Sequence, residues 1–419
     1  MTKHAQLYAP TAVLAIQVSQ LDTPLTGLAS YQRAFVVYRQ GQAVVGQAWL
    51  PVVDGRVAVA DLRSVVQELA WPLWQRMVAA EPPSSQPLPS ASVVVCTRDR
   101  SEDLARCLPG LSQLAGLGHE VIVVDNNPSD DRSAALVASY PRISYIREPR
   151  PGLDLARNCG LLAARGAIVA FTDDDAIVDE GWLDGLLAEF ADPMVALVTG
   201  ITMPLELETP AQIWFQESNG FGRGFVRKVF DLSSMEPLAA GQIGAGVNMA
   251  IRRSALRPIG LFDDALDGGT AAQSGGDQEF FYRVITRGFR AVYTPAALVW
   301  HRHRRDWPGL KRCIEGYGVG LFAWWTRAFL VENDWTVLKI GLNWFVTHHV
   351  REALRAGLGR PGAPPRDLAL AELRGAIVGP QAYLQARRNA RRKNRAANDR
   401  EHAIEDAEPV LAAAQERTI

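Results

Sequence analysis

The sequence lacks the features that would mark it as secreted, disulfide-bonded or membrane-spanning. Its four cysteines form no C-x-x-C pair and no zinc-like spacing, so we expect free, buried thiols in a reducing compartment. No uncharged apolar run reaches the roughly 18 residues that a membrane helix needs. Residues 5–21 carry no charge, but polar residues and a proline interrupt them and no clear signal-peptide cleavage site follows. We therefore expect a cytoplasmic globular protein.

Charge of either sign is not in excess, and common phosphate-binding loops are absent. The 44 basic and 45 acidic residues give a net charge of -1, so no nucleic-acid partner is expected. G-x-x-x-x-G-K-[ST] does not occur in the chain, and no G-x-G-x-x-G fingerprint follows a strand of the predicted α/β domain. A bound phosphate would therefore have to be held by a metal ion and basic side chains. The 419 residues, 48% of them hydrophobic, suffice for two or three domains.

Residues 1–80 are expected to form a small α+β module. Short β-prone segments at 13–18, 34–38, 43–50 and 56–59 precede a predicted helix over 61–77, with Asp61 as its N-cap. Residues 81–90 are rich in proline and serine and indicate a linker. The module contains no catalytic constellation. Packing on the next domain, self-association and partner docking remain alternative roles.

From residue 91 the pattern changes to alternating strands and helices, which is typical of parallel βαβ units. Apolar strands are expected at 92–96, 121–124, 143–146 and 167–171, with helices at 102–114 and 156–164. A further strand at 197–203 begins the second half of this domain, and residues 211–224 are expected as a helix or loop. We expect this α/β domain to span residues 91–305 and a helical region with a basic tail to span 306–419.

Three polar clusters follow three of these predicted strands: residues 97–99, 125–127 and 173–175. Taken singly, the first can cap a helix, the second can be an Asx turn and the third can be a solvated acidic loop. The carboxyl ends of parallel strands lie on one edge of a sheet, however, so the clusters should converge. Asp173, Asp174 and Asp175 repel one another, and an oxygen-preferring cation such as Mg²⁺ or Mn²⁺ would compensate their charge.

Four segments resemble the successive motifs of family 2 glycosyltransferases of the GT-A fold. They are VVVCTRDR at 93–100, VIVVDNN at 121–127, GLDLARNCG at 152–160 and FTDDD at 171–175. The resemblance covers about residues 90–305. It implies a Rossmann-like, mostly parallel central sheet, a nucleotide-sugar donor (uridine being the commonest base), a divalent metal and usually transfer with inversion. The acceptor is open: a glycan, as in polysaccharide biosynthesis, a lipid-linked sugar, a small molecule or a peptide.

The resemblance also implies roles for individual residues by position. Asp175 is the expected direct metal ligand, with Asp173 nearer the ribose or the metal-bound waters, and Asp174 completes the D-x-D segment. Arg157 would lie near the donor. The residues expected at the nucleoside are Thr97, Arg98 and Asp99, which would line its pocket, and Asp125, which would contact the base.

A second acidic segment, GGDQEFFYR at 275–283, opens a predicted helix. Acids in a first helical turn commonly complement the helix dipole. The resemblance instead implies that Asp277 is the general base, with Glu279 as the alternate. The family commonly has Glu where this chain has Gly276, so the choice between the two acids is open.

Basic and aromatic residues beyond this point suggest further contacts. His301 is the expected third metal ligand or diphosphate contact, with His303 as second choice and a solvated basic turn as the alternative. Residues 309–350 are helical and apolar by pattern, and packing on the catalytic domain competes with an interfacial membrane surface. The basic segment 385–395 is either a solvated helix end or a site for anionic lipid headgroups, which would place the protein peripherally at the inner face of the membrane.

Two rival functions can be weighed on the residues alone. A non-catalytic nucleotide-sugar-binding or scaffold protein would be favoured by loss of the acidic metal segment or of the base, and both are present. A nucleotidyltransferase would be expected to carry a glycine-rich loop with a basic residue near the first strand, and none occurs. The sequence therefore favours a metal-dependent glycosyltransferase.

Overall fold

The computed structural model describes residues 9–78, 87–218 and 220–416. The first six residues of the predicted linker at 81–90 lie outside the described residues. The side chains of Lys393 and Arg395, in the predicted basic tail, are also outside the described part of the chain.

The N-terminal module is a three-stranded sheet with two helices. Strand β1 (Thr11–Gln17) pairs in parallel with β2 (Arg33–Gln40), which pairs antiparallel with β3 (Ala43–Pro51). Helices α1 (Val59–Arg63) and α2 (Val66–Val78) follow.

Two local predictions for this module are wrong. Residues 56–59 form no strand: Val57 makes only an isolated bridge with Leu25, and Val59 already begins α1. The single helix predicted over 61–77 is divided in two, and Ala58 rather than Asp61 is the N-cap of α1. Asp61 lies inside the first helical turn, where an acid also complements the helix dipole.

A nine-stranded sheet forms the centre of the molecule, in the order β10-β12-β9-β11-β7-β4-β5-β6, with β8 paired to β12. Its strands are β4 (Ala91–Thr97), β5 (Glu120–Asn126), β6 (Ile143–Glu148), β7 (Ile168–Asp173), β8 (Ala176–Val178), β9 (Val195–Pro204), β10 (Lys228–Phe230), β11 (Asn248–Arg252) and β12 (Arg290–His301). The antiparallel pairings all involve β8, β10 or β11. The predicted α/β fold with a mostly parallel central sheet is confirmed.

Both faces of this sheet are covered, which explains the continuous apolar runs of its strands. In β4, Val94 and Cys96 belong to one hydrophobic cluster and Val93 and Val95 to the other. The helices of this domain are α3 (Ser101–Gly116), α4 (Arg132–Val137), α5 (Leu153–Ala163), α6 (Trp182–Leu187), α7 (Pro210–Ser218), α8 (Leu256–Ile259) and α9 (Gly276–Thr286).

The N-terminal module packs directly on this domain. Phe35 and Val37 of β2 belong to the same buried cluster as the core beneath the central sheet. Arg39 makes a bidentate ion pair with Asp179, at 2.6 and 3.1 Å. The indole Nε1 of Trp300 on β12 donates to the same carboxylate at 2.9 Å. These contacts join the module to the last strand of the central sheet.

The C-terminal region is helical, as predicted. It contains α10 (Trp307–Val331), α11 (Thr336–Trp344), a π-helical turn (Phe345–Val350), α12 (Arg351–Gly357) and α13 (Arg366–Glu416). Glycines let α10 and α13 approach closely: a Cβ at Gly318 or Gly375 would meet the backbone of the other helix. Trp324 and Trp325 of α10 are buried against the catalytic domain. Among the described helices, none combines the length and hydropathy that crossing a lipid bilayer requires.

Candidate active site

The carboxyl ends of β4 and β7 open onto a cavity of about 1590 Å³. The structure brings most of the predicted site residues onto its wall, from both halves of the catalytic domain. These are Thr97, Arg98, Arg157, Asp173, Asp174, Asp175, Asp277, His301 and His303. Asp99, Asp125 and Glu279 are not on this wall.

Asp173, Asp175 and His301 converge at one point of the cavity. One ligand atom from each lies within 4.8 Å of the others. Strand pairing explains the convergence: β12 pairs with β8 so that His301 lies opposite Ala176, next to Asp175. The Nε2 atom of His301 is 3.2 Å from Oδ1 of Asp175. Two carboxylates and an imidazole in this arrangement can hold a divalent cation.

Burial and mutual repulsion shape the charges of the acidic segment. Burial, with the charge of Asp175, raises the pKa of Asp173 to about 6. Burial raises the pKa of Asp174 to about 7. Burial also acts to raise the pKa of Asp175, but His301 and Arg100 outweigh it and hold that pKa well below its usual range. Asp175 is therefore the firmly ionised member of the segment.

Arg100, a residue without an assigned role in the sequence analysis, neutralises part of this segment. Its guanidinium lies 2.9 Å from Oδ1 of Asp174 and 2.9 Å from Oδ2 of Asp175. Thr97 donates a hydrogen bond from Oγ1 to Oδ2 of Asp174 at 2.8 Å. Asp174 is thus held by the protein itself, unlike Asp173. Arg100 is part of the VVVCTRDR motif, but the motif alone does not indicate that Arg100 pairs with Asp174 and Asp175, which lie in a distant segment of the chain.

The two acids expected at the nucleoside lie off the cavity wall. Oδ1 of Asp99 accepts hydrogen bonds from the backbone N–H and the hydroxyl of Ser129, both at 2.8 Å, and so fixes a surface turn. Asp125 is fully buried at the end of β5 and accepts a hydrogen bond from the Tyr145 hydroxyl at 2.9 Å. Its Oδ1 has no hydrogen-bond partner among the described residues. Burial raises the pKa of Asp125.

Asp277 and Glu279, two residues apart, have different environments. Oδ2 of Asp277 accepts a hydrogen bond from the Gly246 N–H and Oδ1 one from the Gln278 N–H, both at 2.8 Å, while the carboxylate faces the cavity. Glu279 is fully buried and makes ion pairs with Arg283 at 2.6 Å and Arg327 at 2.7 Å. Both oxygens of Glu279 are therefore engaged inside the protein.

Arg157 lies at the cavity wall within a buried ionic cluster. Its Nη1 atom is 2.8 Å from Asp154 and 2.6 Å from Asp267, and all three side chains are largely buried. Burial and the charge of Asp267 raise the pKa of Asp277, against the opposing effect of Arg157. The sequence analysis missed Asp154 and Asp267, although Asp154 lies within the quoted GLDLARNCG motif.

The basic segment after β12 contains both supporting and cavity-facing residues. Nδ1 of His303 lies 3.1 Å from Nδ1 of His301, and Nε2 of His303 lies 3.1 Å from Oε1 of Gln216. Burial lowers the pKa of His303, so its ring is neutral. Arg304 is half exposed and lies 3.7 Å from Oδ2 of Asp175 at the cavity wall. His303 thus orients His301, while Arg304 offers a positive charge to a bound anion.

The aromatic residues of α7 serve mainly as core. Trp214 and Phe215 are buried and share a hydrophobic cluster with Leu310 and Ile314 of α10. Trp214 packs edge-on against Trp307, with ring centroids 6.2 Å apart. Their edges also reach the cavity.

Comparison with known proteins places these residues in a family. Residues 92–260 match the model for glycosyl transferase family 2. An uncharacterized glycosyltransferase of Mycobacterium bovis is 34% identical over 186 residues, which cover 44% of this chain and 76% of that protein. The pre-mycofactocin glycosyltransferase of Mycobacterium tuberculosis is 34% identical over 283 residues, 64% of this chain and 55% of that protein. The chain thus spans only about half the length of this second relative.

A solved structure of similar architecture is the mannosyltransferase PcManGT from Pyrobaculum calidifontis, in complex with GDP-Man and Mn²⁺. It has a TM-score of 0.43 and 17% identity, and the match covers 76% of this chain and 80% of that one.

Proposed function

Because this chain belongs to glycosyltransferase family 2, we propose that it transfers a sugar from a nucleotide-diphosphate-sugar to an acceptor hydroxyl, with inversion and with a divalent metal ion. One observation carries the proposal: the Asp173, Asp175 and His301 cluster and the carboxylate of Asp277 face the same cavity. An inverting displacement needs a group that stabilises the leaving diphosphate and a separate base for the acceptor. The acidic cluster and Asp277 are the proposed candidates for these two roles.

The residues at the acidic cluster fit a divalent metal ion. Asp173, Asp175 and His301 would hold Mn²⁺ or Mg²⁺, which would act as a Lewis acid on the diphosphate when bound. The imidazole in the set favours Mn²⁺, since Mg²⁺ prefers oxygen ligands alone. Arg304 would contact the diphosphate directly, because it is the half-exposed cation next to Asp175 on the wall. Thr97 and Arg98 would line the nucleoside side of the donor pocket.

Asp277 is the proposed general base. Two backbone N–H groups fix its carboxylate, and each oxygen keeps a lone pair for the proton of the acceptor hydroxyl. Glu279 is set aside, because Arg283 and Arg327 hold it inside the protein and away from the cavity. Arg157 does not contact the reacting groups in this proposal; it balances the charges of Asp154 and Asp267 beneath the base.

We assign catalysis to residues 91–305, with the N-terminal module and the C-terminal helices as supports. The C-terminal region also completes the cavity wall, with Leu310, Cys313 and Tyr317 of α10. The acceptor would enter between α10 and the catalytic domain. Peripheral membrane association stays a secondary proposal, supported by the exposed Leu338 and Leu342 of α11 and its exposed N-cap residue Trp335.

The proposal is tested by incubating the purified chain with UDP-, GDP-, dTDP- and CMP-sugars, with Mn²⁺ and a panel of acceptors, and measuring nucleotide release. Pre-mycofactocin is one acceptor to include, because it is named for a relative. Acceptor-dependent release with one donor, lost in Asp175→Asn, supports transfer. Binding of a donor without release under any condition would favour a non-catalytic binding protein instead.

A further inference from the structure

A second cluster of metal-ligand side chains lies on the cavity wall, away from the acidic segment in sequence and in structural element. It consists of His348 and His349 in the π-helical turn and Glu372 on α13. One ligand atom from each residue lies within 4.8 Å of the others. Nε2 of His348 and Nδ1 of His349 are each 4.0 Å from Oε1 of Glu372.

His349 is the distinctive member of this cluster. Its residue surface is 3% exposed, and neither Nδ1 nor Nε2 has a hydrogen-bond partner among the described residues. Leaving a buried polar atom unsatisfied is costly, so native structures seldom do so without a reason. The His349 ring packs near the rings of Phe322 and Phe345, with centroids 5.6 and 6.5 Å away, and phenyl rings offer no conventional hydrogen-bond partner. A ligand that accepts an imidazole lone pair would satisfy this side chain.

The backbone explains how two adjacent histidines face one carboxylate. A π-turn has more residues per turn than an α-helix, so successive side chains are rotated by less than the α-helical 100°. His348 and His349 therefore both reach toward α13. Stacking of the Trp344 ring on His348, with centroids 4.7 Å apart, fixes the first ring. Single π-turns within helices are frequent at functional sites.

We propose that His348, His349 and Glu372 form a second metal site, for a transition-metal ion of the zinc class. Two imidazoles and one carboxylate suit Zn²⁺, which is held by three protein ligands and a water in many open sites. Tetrahedral ligands at about 2.0–2.1 Å from Zn²⁺ are about 3.3 Å apart. The two 4.0 Å separations from Oε1 of Glu372 would contract by about 0.7 Å, which side-chain rotation can supply. Oxygen-preferring Mg²⁺ would bind here poorly.

The charge environment is consistent with this assignment. Burial lowers the pKa of His349 to about 4, so its ring is neutral and keeps a lone pair. Burial and the nearby Glu352 raise the pKa of Glu372 to about 7. Metal binding would link the π-turn to α13 and fix this part of the cavity wall. The site is independent of the Asp173, Asp175 and His301 cluster.

Cobalt titration of the full chain tests the proposal, because tetrahedral Co²⁺ absorbs visible light and substitutes for Zn²⁺. The metal-stripped Asp175→Asn variant is used, so that the acidic cluster contributes little. We expect one equivalent of Co²⁺ with a visible absorption band, displaced by Zn²⁺. In His349→Gln, which keeps the side-chain volume, the affinity should fall at least about tenfold.

Two controls make the outcomes decisive. His119→Gln, a histidine outside both clusters, should bind Co²⁺ as the parent does. Melting temperatures of both variants report whether they are folded, and His348→Gln repeats the test if His349→Gln fails to fold. Unchanged Co²⁺ affinity in a folded His349→Gln or His348→Gln chain, or no Co²⁺ and Zn²⁺ binding by the parent, would overturn the second site. Because the readout is metal binding, a failed transferase assay leaves this result interpretable.

Discussion

The carboxylate of Asp154 occupies the space that a side chain at Gly276 would need. A Cβ built at Gly276 overlaps Oδ2 of Asp154, which has no hydrogen-bond partner among the described residues, while Oδ1 accepts a hydrogen bond from Arg157 at 2.8 Å. The sequence analysis left the choice between Asp277 and Glu279 open, because the family commonly has Glu where this chain has Gly276. In this chain an acid from α5 fills the place beside Asp277 instead.

Gly276→Ala should therefore destabilise the protein. The added methyl must displace the Asp154 carboxylate from a packed, buried position, which costs about 1–3 kcal/mol. Chemical denaturation measures the loss. In the double variant Asp154→Ala/Gly276→Ala the loss should be smaller than the sum of the two single losses, by about 0.5–3 kcal/mol. Gly222→Ala is the matched control, because a Cβ there meets no atom within 4 Å. If the loss in the double variant equals the sum of the two single losses, Asp154 and a side chain at position 276 do not compete for the same space.

Asp277→Asn should lose transfer while keeping donor binding. An amide cannot accept the acceptor's proton, and a positioned base contributes about 10²–10⁴-fold to the rate. The rate of nucleotide release with acceptor and the thermal shift by donor are measured side by side. The exposed Asp184 on α6 provides a control variant, Asp184→Asn, with unchanged rate. A fully active Asp277→Asn enzyme would remove Asp277 from the role of base.

Glu279→Gln should act on stability rather than on chemistry. The substitution removes the buried counter-charge of Arg283, whereas Arg327 keeps its ion pairs with Asp263 and Glu332. Breaking one partner of a buried ion pair costs about 3–5 kcal/mol. Denaturant midpoints report the loss. The folded fraction of the variant should transfer sugar at the same rate per molecule as the parent protein. Normal stability with abolished transfer would instead identify Glu279 as the base.

The pH profile of transfer should follow the raised pKa of Asp277. Burial and the nearby Asp267 raise this pKa above its ordinary 3.8, against the positive charge of Arg157. A protonated carboxyl cannot accept a proton, so kcat/KM should fall as the pH drops through the raised pKa of Asp277. Asp154, Arg223 and Tyr317 also interact electrostatically with Asp277. An acid limb centred at or below 3.8 would contradict the buried base.

The sheet and the convergence of its polar strand ends could be predicted from the sequence. Strands buried on both faces give continuous apolar runs, and the runs ending at Thr97 and Asp173 were visible for that reason. The register of β12 against β8, which brings His301 to Asp175, is a tertiary pairing of distant segments. The sequence suggested His301 through family resemblance, without showing the contact.

The ion-pair partners of the site residues and the local structure of residues 56–59 depend on tertiary packing, which local sequence patterns do not encode. Asp277 and Glu279 both lie in the first turn of α9, and only the packing of α10 shows that Arg327 covers Glu279. The pairing of Arg100 with Asp174 likewise joins distant segments. In the N-terminal module, the β-prone residues 56–59 form a turn and a helix start, because tertiary context overrides weak local propensity.

The most direct test of the proposed function is the thermal shift of the chain with nucleotide-sugars, with and without Mn²⁺, in the parent and in Asp175→Asn. A ligand that binds only the folded state raises the melting temperature by mass action, by an amount that grows with its concentration over Kd. We predict that one donor gives a shift that requires Mn²⁺ and disappears in folded Asp175→Asn. A shift that is equal without Mn²⁺, or that persists in Asp175→Asn, would contradict a metal-dependent donor site at Asp173, Asp175 and His301.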